Sequence, residues 1–229
     1  MKKNAIISFA NSNGYYMDRM ARLSNSLRDN FDGDFIGFVG EASLGCPLHS
    51  ENPYAFKIYA FEKAFNVGYE KVIWLDSSVF AIAPVNPLFY TLDEQELIFQ
   101  DAGHYLGNWS NDYVLNYFNI TRDDAMNMKM IGNAGFLGIN IETVKGLHFF
   151  EQWQKSMENG CFKGQWHNND NTESNDVRCL GSRHDMSCSS AIVHKMGLFD
   201  LAYGGEEVLQ YAGIYDKVLN DTIILKAQG

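Results

Sequence analysis

Residues 69–82 read YEKVIWLDSSVFAI, and this stretch decides the fold class. The run from Val72 to Leu75 is apolar without polar alternation, which is typical of a strand buried on both faces in a parallel sheet. The run stops on Asp76. Because ligands of open parallel sheets bind beyond the carboxyl ends of the strands, this position predicts a functional carboxylate. A surface turn, which also favours Asp and Ser, is the alternative.

The segments around this strand alternate between strand and helix patterns. We predict further strands at residues 5–10, 35–39, 96–100 and 136–141, and helices at 16–27, 53–67, 113–118, 147–157 and 185–196. The polar, aromatic stretch at 101–112 is typical of a binding loop, and 161–181 predicts a long loop. This alternation favours a doubly wound α/β fold with a mostly parallel sheet between helices.

Length and charge limit the function classes. The chain has 229 residues and a net charge of −10, so we expect one domain and no nucleic-acid partner. No apolar run approaches the ~18 residues of a membrane span. The apolar part of the first 14 residues is shorter than the ~7 to 15 residues of a signal-peptide core. We therefore expect a cytoplasmic protein without a transmembrane segment.

Common cofactor and nucleophile motifs are missing from the sequence. There is no G-x-G-x-x-G after the first strand, no G-x-x-x-x-G-K-[ST] and no G-x-S-x-G. The four cysteines form no C-x-x-C pair, which argues against a structural zinc site.

Four stretches in order carry a family likeness: NPYAFKIYAFEKA at 52–64, VIWLDSS at 72–78, GNAGFLGIN at 132–140 and GSRHDMS at 181–187. Together they resemble the nucleotide-sugar glycosyltransferases of the GT-A fold, with a more distant likeness to glycosyltransferase family 8. The resemblance implies a single GT-A-type domain over 1–229, with a donor-binding part at about 1–100 and an acceptor side at about 101–229. It implies transfer of a sugar from a nucleoside diphosphate, with a UDP-sugar as the expected donor, to a hydroxyl of a glycan in glycan biosynthesis.

The resemblance also implies a divalent cation, Mn²⁺ or Mg²⁺, at a D-x-D motif. This chain has Asp76, Ser77 and Ser78 instead, so the second carboxylate is missing. Such ions often bind through one carboxylate together with substrate phosphates, and Asp76 is therefore the candidate ligand. Alternatively, Asp76 binds ribose or sugar hydroxyls of the donor.

Other donor residues follow from the same likeness. Lys57 is expected to pair with the diphosphate, unless it lies on a solvated helix face. Asn11, Asn13 and Tyr15 are candidates for contacts to the base and ribose, whereas Tyr16 is expected to pack inward. The small residues Asn133, Ala134 and Gly135 would let the backbone approach the sugar closely, or form a β-bulge without a ligand.

The late motif supplies the candidate base. Asp185 would deprotonate the acceptor hydroxyl or bind sugar hydroxyls, and a helix cap is the structural alternative. The resemblance also places Arg183 and His184, together with His104, Trp109 and Asp112, on the acceptor side. Aromatic faces suit sugar rings, and packing in the core is the alternative for Trp109.

Three questions stay open at this point. Retention and inversion are both compatible with the sequence, because Asp185 could act as a base or only orient the sugar. A transferase-like binding module that has lost catalysis is one alternative function. A sugar-phosphate nucleotidyltransferase is another, although the glycine-rich basic loop of that class is absent after the first strand.

Overall fold

The protein was analysed as a computed structural model that describes residues 4–132, 135–204, 207–212 and 224–228. Ten strands and eight α-helices alternate along these residues. In chain order they are β1 Asn4–Ala10, α1 Gly14–Leu27, β2 Asp34–Val39, α2 Gly40–Leu44, α3 Ala55–Asn66, β3 Lys71–Leu75, β4 Val79–Ala81, α4 Asn86–Gln95, β5 Leu97–Phe99, β6 Asp101–Tyr105, α5 Asp112–Tyr117, α6 Arg122–Ala125, β7 Lys129–Ile131, β8 Phe136–Asn140, α7 Val144–Glu158, α8 Asp185–Lys195, β9 Leu209–Ala212 and β10 Leu225–Gln228.

The central sheet has five strands in the order β2-β1-β3-β8-β5. β1 pairs in parallel with both β2 and β3, whereas β8 is antiparallel to β3 and to β5. Since β5 opposes β8, it runs in the same direction as β1, β2 and β3. The predicted α/β class with a mostly parallel sheet flanked by helices is confirmed, and β8 is the one reversed strand of this sheet.

Each face of the sheet has its own hydrophobic layer. Ile7, Trp74 and Ile139 point to the side covered by α3, α7 and α8. Ile6 and Ile73, whose side chains alternate with the first set, point to the side covered by α1 and α4. All five residues of β3 are buried, which explains the uninterrupted apolar run in the sequence.

Two smaller sheets lie beside the central one, and one of them corrects a sequence prediction. The stretch 101–105, predicted as loop, forms β6 and pairs antiparallel with β7. Most of β6 is solvent-exposed, so its sequence lacks the apolar pattern that identifies a strand. β4, β9 and β10 form the other sheet, which the sequence did not predict.

The long loop at 161–181 is confirmed, and one side chain organises it. Asn168 donates from Nδ2 to the carbonyls of Ser174 and Cys179, at 2.8 and 3.2 Å. Its Oδ1 accepts from the amides of Glu173 and Ser174. The side-chain amide of Asn168 therefore links separate parts of this loop, because it can both donate and accept hydrogen bonds.

The predicted helices are present, with small shifts at their ends. In α7, the buried face consists of Phe149, Phe150, Trp153 and Met157, whereas Leu147, the first residue of the predicted helix, is 44% exposed. Among the described residues, no helix has the length and apolar character needed to cross a bilayer.

Candidate functional site

A cavity of about 450 Å³ lies beyond the carboxyl ends of β1 and β3. Small-molecule sites in proteins commonly have this size and this position in an α/β sheet. The side chains that line it come from the two strand ends, from α1, and from the segment that leads into α3. They are Phe9, Asn11, Tyr15, Tyr16, Arg19, Glu41, His49, Tyr54, Phe56, Asp76, Ser77 and Ser78.

Asp76 is held in a tight turn at the edge of this cavity. Its Oδ1 accepts a hydrogen bond from the amide of Ser78 at 2.9 Å, and its own amide donates to the carbonyl of Gly135 at 3.1 Å. The Nη2 of Arg22 donates to the carbonyl of Ser78 at 2.7 Å. The end of β3, Gly135 before β8 and Arg22 of α1 therefore hold this turn together.

The beginning of α1 forms a second side of the cavity. Asn13 caps the helix by accepting from the amide of Tyr16 at 3.2 Å, and Asn11 accepts from the amide of Asn13 at 3.3 Å. Tyr15 and Tyr16 are 56% and 40% exposed and both line the cavity. The expectation that Tyr16 packs inward is wrong, because the helix begins at Gly14 and leaves its first turn outside the core.

Arg19 is a cavity residue that the sequence analysis missed. Its guanidinium lies 4.2 Å from the centre of the Tyr15 ring and donates to the Tyr15 hydroxyl at 2.5 Å. The two residues are four positions apart on α1, so both side chains share one helix face. The four-residue spacing from Tyr15, a candidate stacking residue, could have identified Arg19 from the sequence. Arg19 places a positive charge in the cavity that also contains Asp76.

Within the described residues, no cluster of three or more His, Cys, Asp or Glu side chains could hold a metal ion by itself. Asp76 is nevertheless partly accessible in the cavity, with Ser77 and Ser78 beside it. These groups fit a hard cation that takes one carboxylate from the protein and its other ligands from phosphates and water. They do not fit an all-protein cage.

Lys57 and Asp185 meet in the interior and not in the cavity. The Nζ of Lys57 lies 2.7 Å from Oδ2 of Asp185, and both side chains are 2% exposed. The backbone carbonyl of Asp185 accepts from the indole of Trp153 at 3.1 Å. The structure therefore places the predicted phosphate-binding lysine and the predicted base in one buried ion pair, linking α3 to the start of α8 across 128 residues of sequence.

Tyr54 lies between this ion pair and the cavity. Lys57 Nζ is 5.2 Å from the centre of the Tyr54 ring, which also lines the cavity. Burial raises the pKa of the Tyr54 hydroxyl well above its usual range, and the negative charges of Asp185 and Asp76 act in the same direction. Tyr54 is therefore a neutral hydroxyl at the end of the cavity nearest the ion pair.

Two residues at the site have a left-handed φ. Tyr54 and His184 have φ of 60° and 52°, precede α3 and α8 respectively, and have ring centres 5.5 Å apart. Bulky residues rarely adopt these angles, and such strain concentrates at functional sites. His184 is buried, its Nδ1 lies 2.9 Å from the Phe162 carbonyl, and burial lowers its pKa.

Most of the predicted acceptor-side residues form one aromatic group beyond Tyr54. The guanidinium of Arg183 lies 3.5 Å from the ring centre of Trp109 and 4.0 Å from that of Trp166. His104 makes an edge contact with Trp109, with ring centres 6.0 Å apart. Trp166 packs edge-on against Tyr54 at 6.3 Å. Trp166 was not among the predicted site residues, because its polar loop offered no periodic pattern.

The remaining predicted residues lie elsewhere or outside the described part of the chain. Asp112 pairs with Arg122 at 2.6 Å at the start of α5 and does not line the cavity. Gly135 contributes its carbonyl to the amide of Asp76. Asn133 and Ala134, both predicted to contact the donor, lie outside the described residues.

Comparison with known proteins gives a likeness of fold. No family model matches the chain, and no curated protein matches it by sequence. Among solved structures, the apo structure of the bifunctional glycosyltransferase WbbM superposes with a TM-score of 0.53 at 12% sequence identity. The match covers 93% of this chain and 40% of that one, so the chain spans less than half of the protein that it resembles. At this identity the comparison establishes that this chain has the fold of a glycosyltransferase.

Proposed function

We propose that the protein is a glycosyltransferase that takes its donor sugar from a nucleoside diphosphate, with UDP as the expected nucleotide. The observation that carries the proposal is the cavity at the ends of β1 and β3, which combines Asp76, Arg19 and two exposed tyrosines. Aromatic faces suit a base, and an arginine suits a phosphate. The glycosyltransferase fold of WbbM supports the same class of reaction.

In this proposal each wall of the cavity has its own task. Tyr15 or Tyr16 stacks on the base, and Asn11 in the loop before α1 contacts the ribose, whereas Asn13 caps α1 and does not line the cavity. Arg19 and Asp76 lie where the diphosphate would be placed. A divalent ion held by Asp76 and the donor phosphates would stabilise charge on the departing nucleotide. The guanidinium of Arg19 would also stabilise the negative charge on the departing nucleotide, by direct contact with the phosphates.

The acceptor would approach from the side of Tyr54 and Trp166. Asp185 is a poor candidate for the base that deprotonates it, because its carboxylate is buried and accepts from Lys57. The proposal therefore assigns Lys57 and Asp185 to positioning, through Tyr54 and the strained start of α8. It leaves both stereochemical outcomes open, since it names no base.

Nucleotide binding is the first experimental test. Thermal unfolding is measured with UDP, UDP-glucose and UDP-galactose, each with and without Mn²⁺, and with AMP as the control. A ligand at about 100 times its dissociation constant stabilises by about 2.7 kcal/mol, which raises the Tm of a chain of this size by about 5 to 10 °C. The absence of any shift with every uridine nucleotide at millimolar concentration would contradict the proposal.

A binding module without catalysis is the second candidate, favoured by the single carboxylate in Asp76-Ser77-Ser78. It predicts the same thermal shift. The two candidates differ in the release of UDP from UDP-sugars over hours, with and without added glycans. A transferase releases UDP at a rate that an acceptor increases, whereas a binding module leaves the donor intact.

A further inference from the structure

The guanidinium of Arg183 is fixed between two indole rings. Its central carbon lies 3.5 Å from the ring centre of Trp109 and 4.0 Å from that of Trp166. Nη1 donates to the backbone carbonyl of Trp166 at 3.1 Å, and the Arg183 amide donates to the carbonyl of Trp109 at 3.1 Å. The side chain has thus lost most of its rotational freedom before any ligand binds, which favours tight recognition.

The positive charge of Arg183 has no acidic partner among the described residues. Arg122 and Arg178, by contrast, pair with carboxylates at 2.6 to 2.8 Å. The chain has 28 acidic and only 18 basic side chains, so an unpaired arginine is not explained by a shortage of acids. Burial lowers the pKa of Arg183, with a smaller opposing effect of Tyr54, so its charge is partly desolvated and lacks a carboxylate partner among the described residues.

The hydrogen-bonding capacity of this guanidinium is also incompletely used. Arginine has five N–H donors in a planar fork. Of the side-chain nitrogens of Arg183, only Nη1 has an acceptor within the part of the chain that the structure describes. The fork geometry matches the two oxygens of a carboxylate or a phosphate.

The site adjoins the donor cavity through Tyr54. Tyr54 lines that cavity and packs against Trp166, and the charge of Arg183 lowers the pKa of the Tyr54 hydroxyl, against the larger effect of burial. Trp166 is 44% exposed, so part of its ring is accessible beside the guanidinium. A ring system for stacking and a cation for an oxyanion therefore lie together next to Tyr54, which lines the cavity.

We propose that Arg183 binds an oxyanion of the acceptor, so that the acceptor is an acidic glycan that carries a carboxylate or a phosphate. This inference depends on the proposed function only where it identifies the bound sugar as the acceptor. The binding chemistry itself, an oxyanion on a sugar held by Arg183 beside Trp166, does not depend on it.

The test measures binding of D-glucuronate, D-glucose 6-phosphate and neutral D-glucose by tryptophan fluorescence and by saturation-transfer NMR. The wild-type protein binds both anionic sugars at least about tenfold more tightly than glucose, because each gains charge-assisted hydrogen bonds. The preference shrinks when NaCl is raised from 50 to 500 mM, since salt screens an accessible charge pair.

Arg183→Met keeps an apolar stem between the indoles and removes the charge, so it abolishes the preference. Arg178→Met, on the same loop but already paired with Asp176 and Asp123, leaves it unchanged. Arg183→Lys, a second variant that keeps the charge, retains a reduced preference because lysine lacks the planar fork. Folding of each variant is checked by thermal unfolding.

Several outcomes would overturn the inference. Glucose and glucuronate binding equally to the wild type would do so, as would a salt-independent preference or an unchanged preference in Arg183→Met. If Arg183→Met weakens UDP binding and leaves glucuronate binding intact, the oxyanion belongs to the donor, and the acceptor assignment is wrong. If the wild type binds glucuronate but no nucleotide, the proposed function fails while the Arg183 site stands.

Discussion

Asp76 combines two roles in one turn, since Oδ1 holds the amide of Ser78 while the carboxylate as a whole brings negative charge to the cavity. The turn requires only an acceptor oxygen, which asparagine also has. The proposed reaction requires the charge. A substitution that keeps the acceptor oxygen and removes the negative charge can therefore separate structure from function at this position.

Asp76→Asn should retain the fold and lose transfer. We expect a Tm within about 2 °C of the wild type, because asparagine accepts the same hydrogen bond in a turn. We expect turnover to fall by about 100-fold or more, because a charge that organises the donor phosphates is lost. Asp101→Asn is the control for loss of a carboxylate away from the cavity: Asp101 accepts from the amide of Gly103, also pairs with Lys129 at 2.8 Å, and does not line the cavity. Equal turnover in wild type and Asp76→Asn would refute the role of Asp76.

The buried pair of Lys57 and Asp185 gives a prediction opposite to that of a helix cap. If Asp185 were only a helix cap, Asp185→Asn would be tolerated, because asparagine is about as good a cap as aspartate. A buried ion pair does not tolerate the loss of one partner, so removing one charge should destabilise the protein by about 3 to 5 kcal/mol. Urea denaturation of Asp185→Asn and Lys57→Met measures this loss.

The double variant Lys57→Met with Asp185→Leu provides the control. Replacing both charges with apolar groups of similar volume should recover most of the stability lost in either single variant. A recovered double variant that still transfers sugar would limit the pair to holding α3 against α8. A recovered double variant without transfer would give the pair a role in the reaction beyond folding.

The sequence identified five of the twelve residues that line the cavity, and it did not identify the contacts between them. The five are Asn11, Tyr15, Asp76, Ser77 and Ser78. Asp76 and the loop before α1 were predictable, because strand ends in a parallel sheet meet at one edge. The burial of Lys57 was not predictable, since its partner lies 128 residues away and a helical lysine usually faces solvent. Arg19 was missed because a charged side chain on a helix usually faces solvent.

At the scale of elements, the contact between β8 and α7 is unusually close. Thr143 caps α7 by accepting from the amide of Gly146 at 3.1 Å, and its hydroxyl donates to the carbonyl of Asn140 at 2.8 Å. A Cβ on Gly146 would lie only 1.8 Å from the oxygen of Asn140. The helix can therefore begin directly after the strand only because residue 146 has no side chain.

Gly146→Ala should lower the free energy of unfolding by about 2 kcal/mol or more, since backbone must move to make room for the methyl group. Gly14→Ala is the matched control at the start of α1, where a Cβ would meet nothing within 4 Å. That change should be neutral or stabilise by up to about 1 kcal/mol, because alanine has less freedom to lose in a helix. Urea denaturation of both variants checks the pair, and equal stabilities would show that the α7 start can relax at little cost.

Strand positions were predictable at this scale, whereas strand directions were not. β8 was expected at 136–141 and lies at Phe136–Asn140, because its apolar run is buried on both faces. The reversal of β8 relative to β3 leaves no mark in such a run, since both directions bury the same side chains. β6 is mostly exposed and therefore lacks an apolar run, whereas β10 buries only Leu225 and Ala227 and pairs with β4, which lies far back along the chain.

At the scale of the whole molecule, the proposed site joins the two faces of the sheet. Asp76 and Ser78 follow a central strand, Arg19 and Arg22 approach from α1 on one face, and Tyr54 precedes α3 on the other. A ligand in the cavity would contact elements from both hydrophobic layers. A nucleotide that binds there is therefore expected to stabilise the whole fold, because it would bind the folded protein and not the unfolded chain.

The position of a bound nucleotide tests the central claim most directly. Crystals of the protein soaked with UDP and Mn²⁺ should show the base against Tyr15 or Tyr16 and the diphosphate between Arg19 and Asp76. A nucleotide that binds in solution but occupies another surface in the crystal, away from Asp76 and α1, would contradict the account.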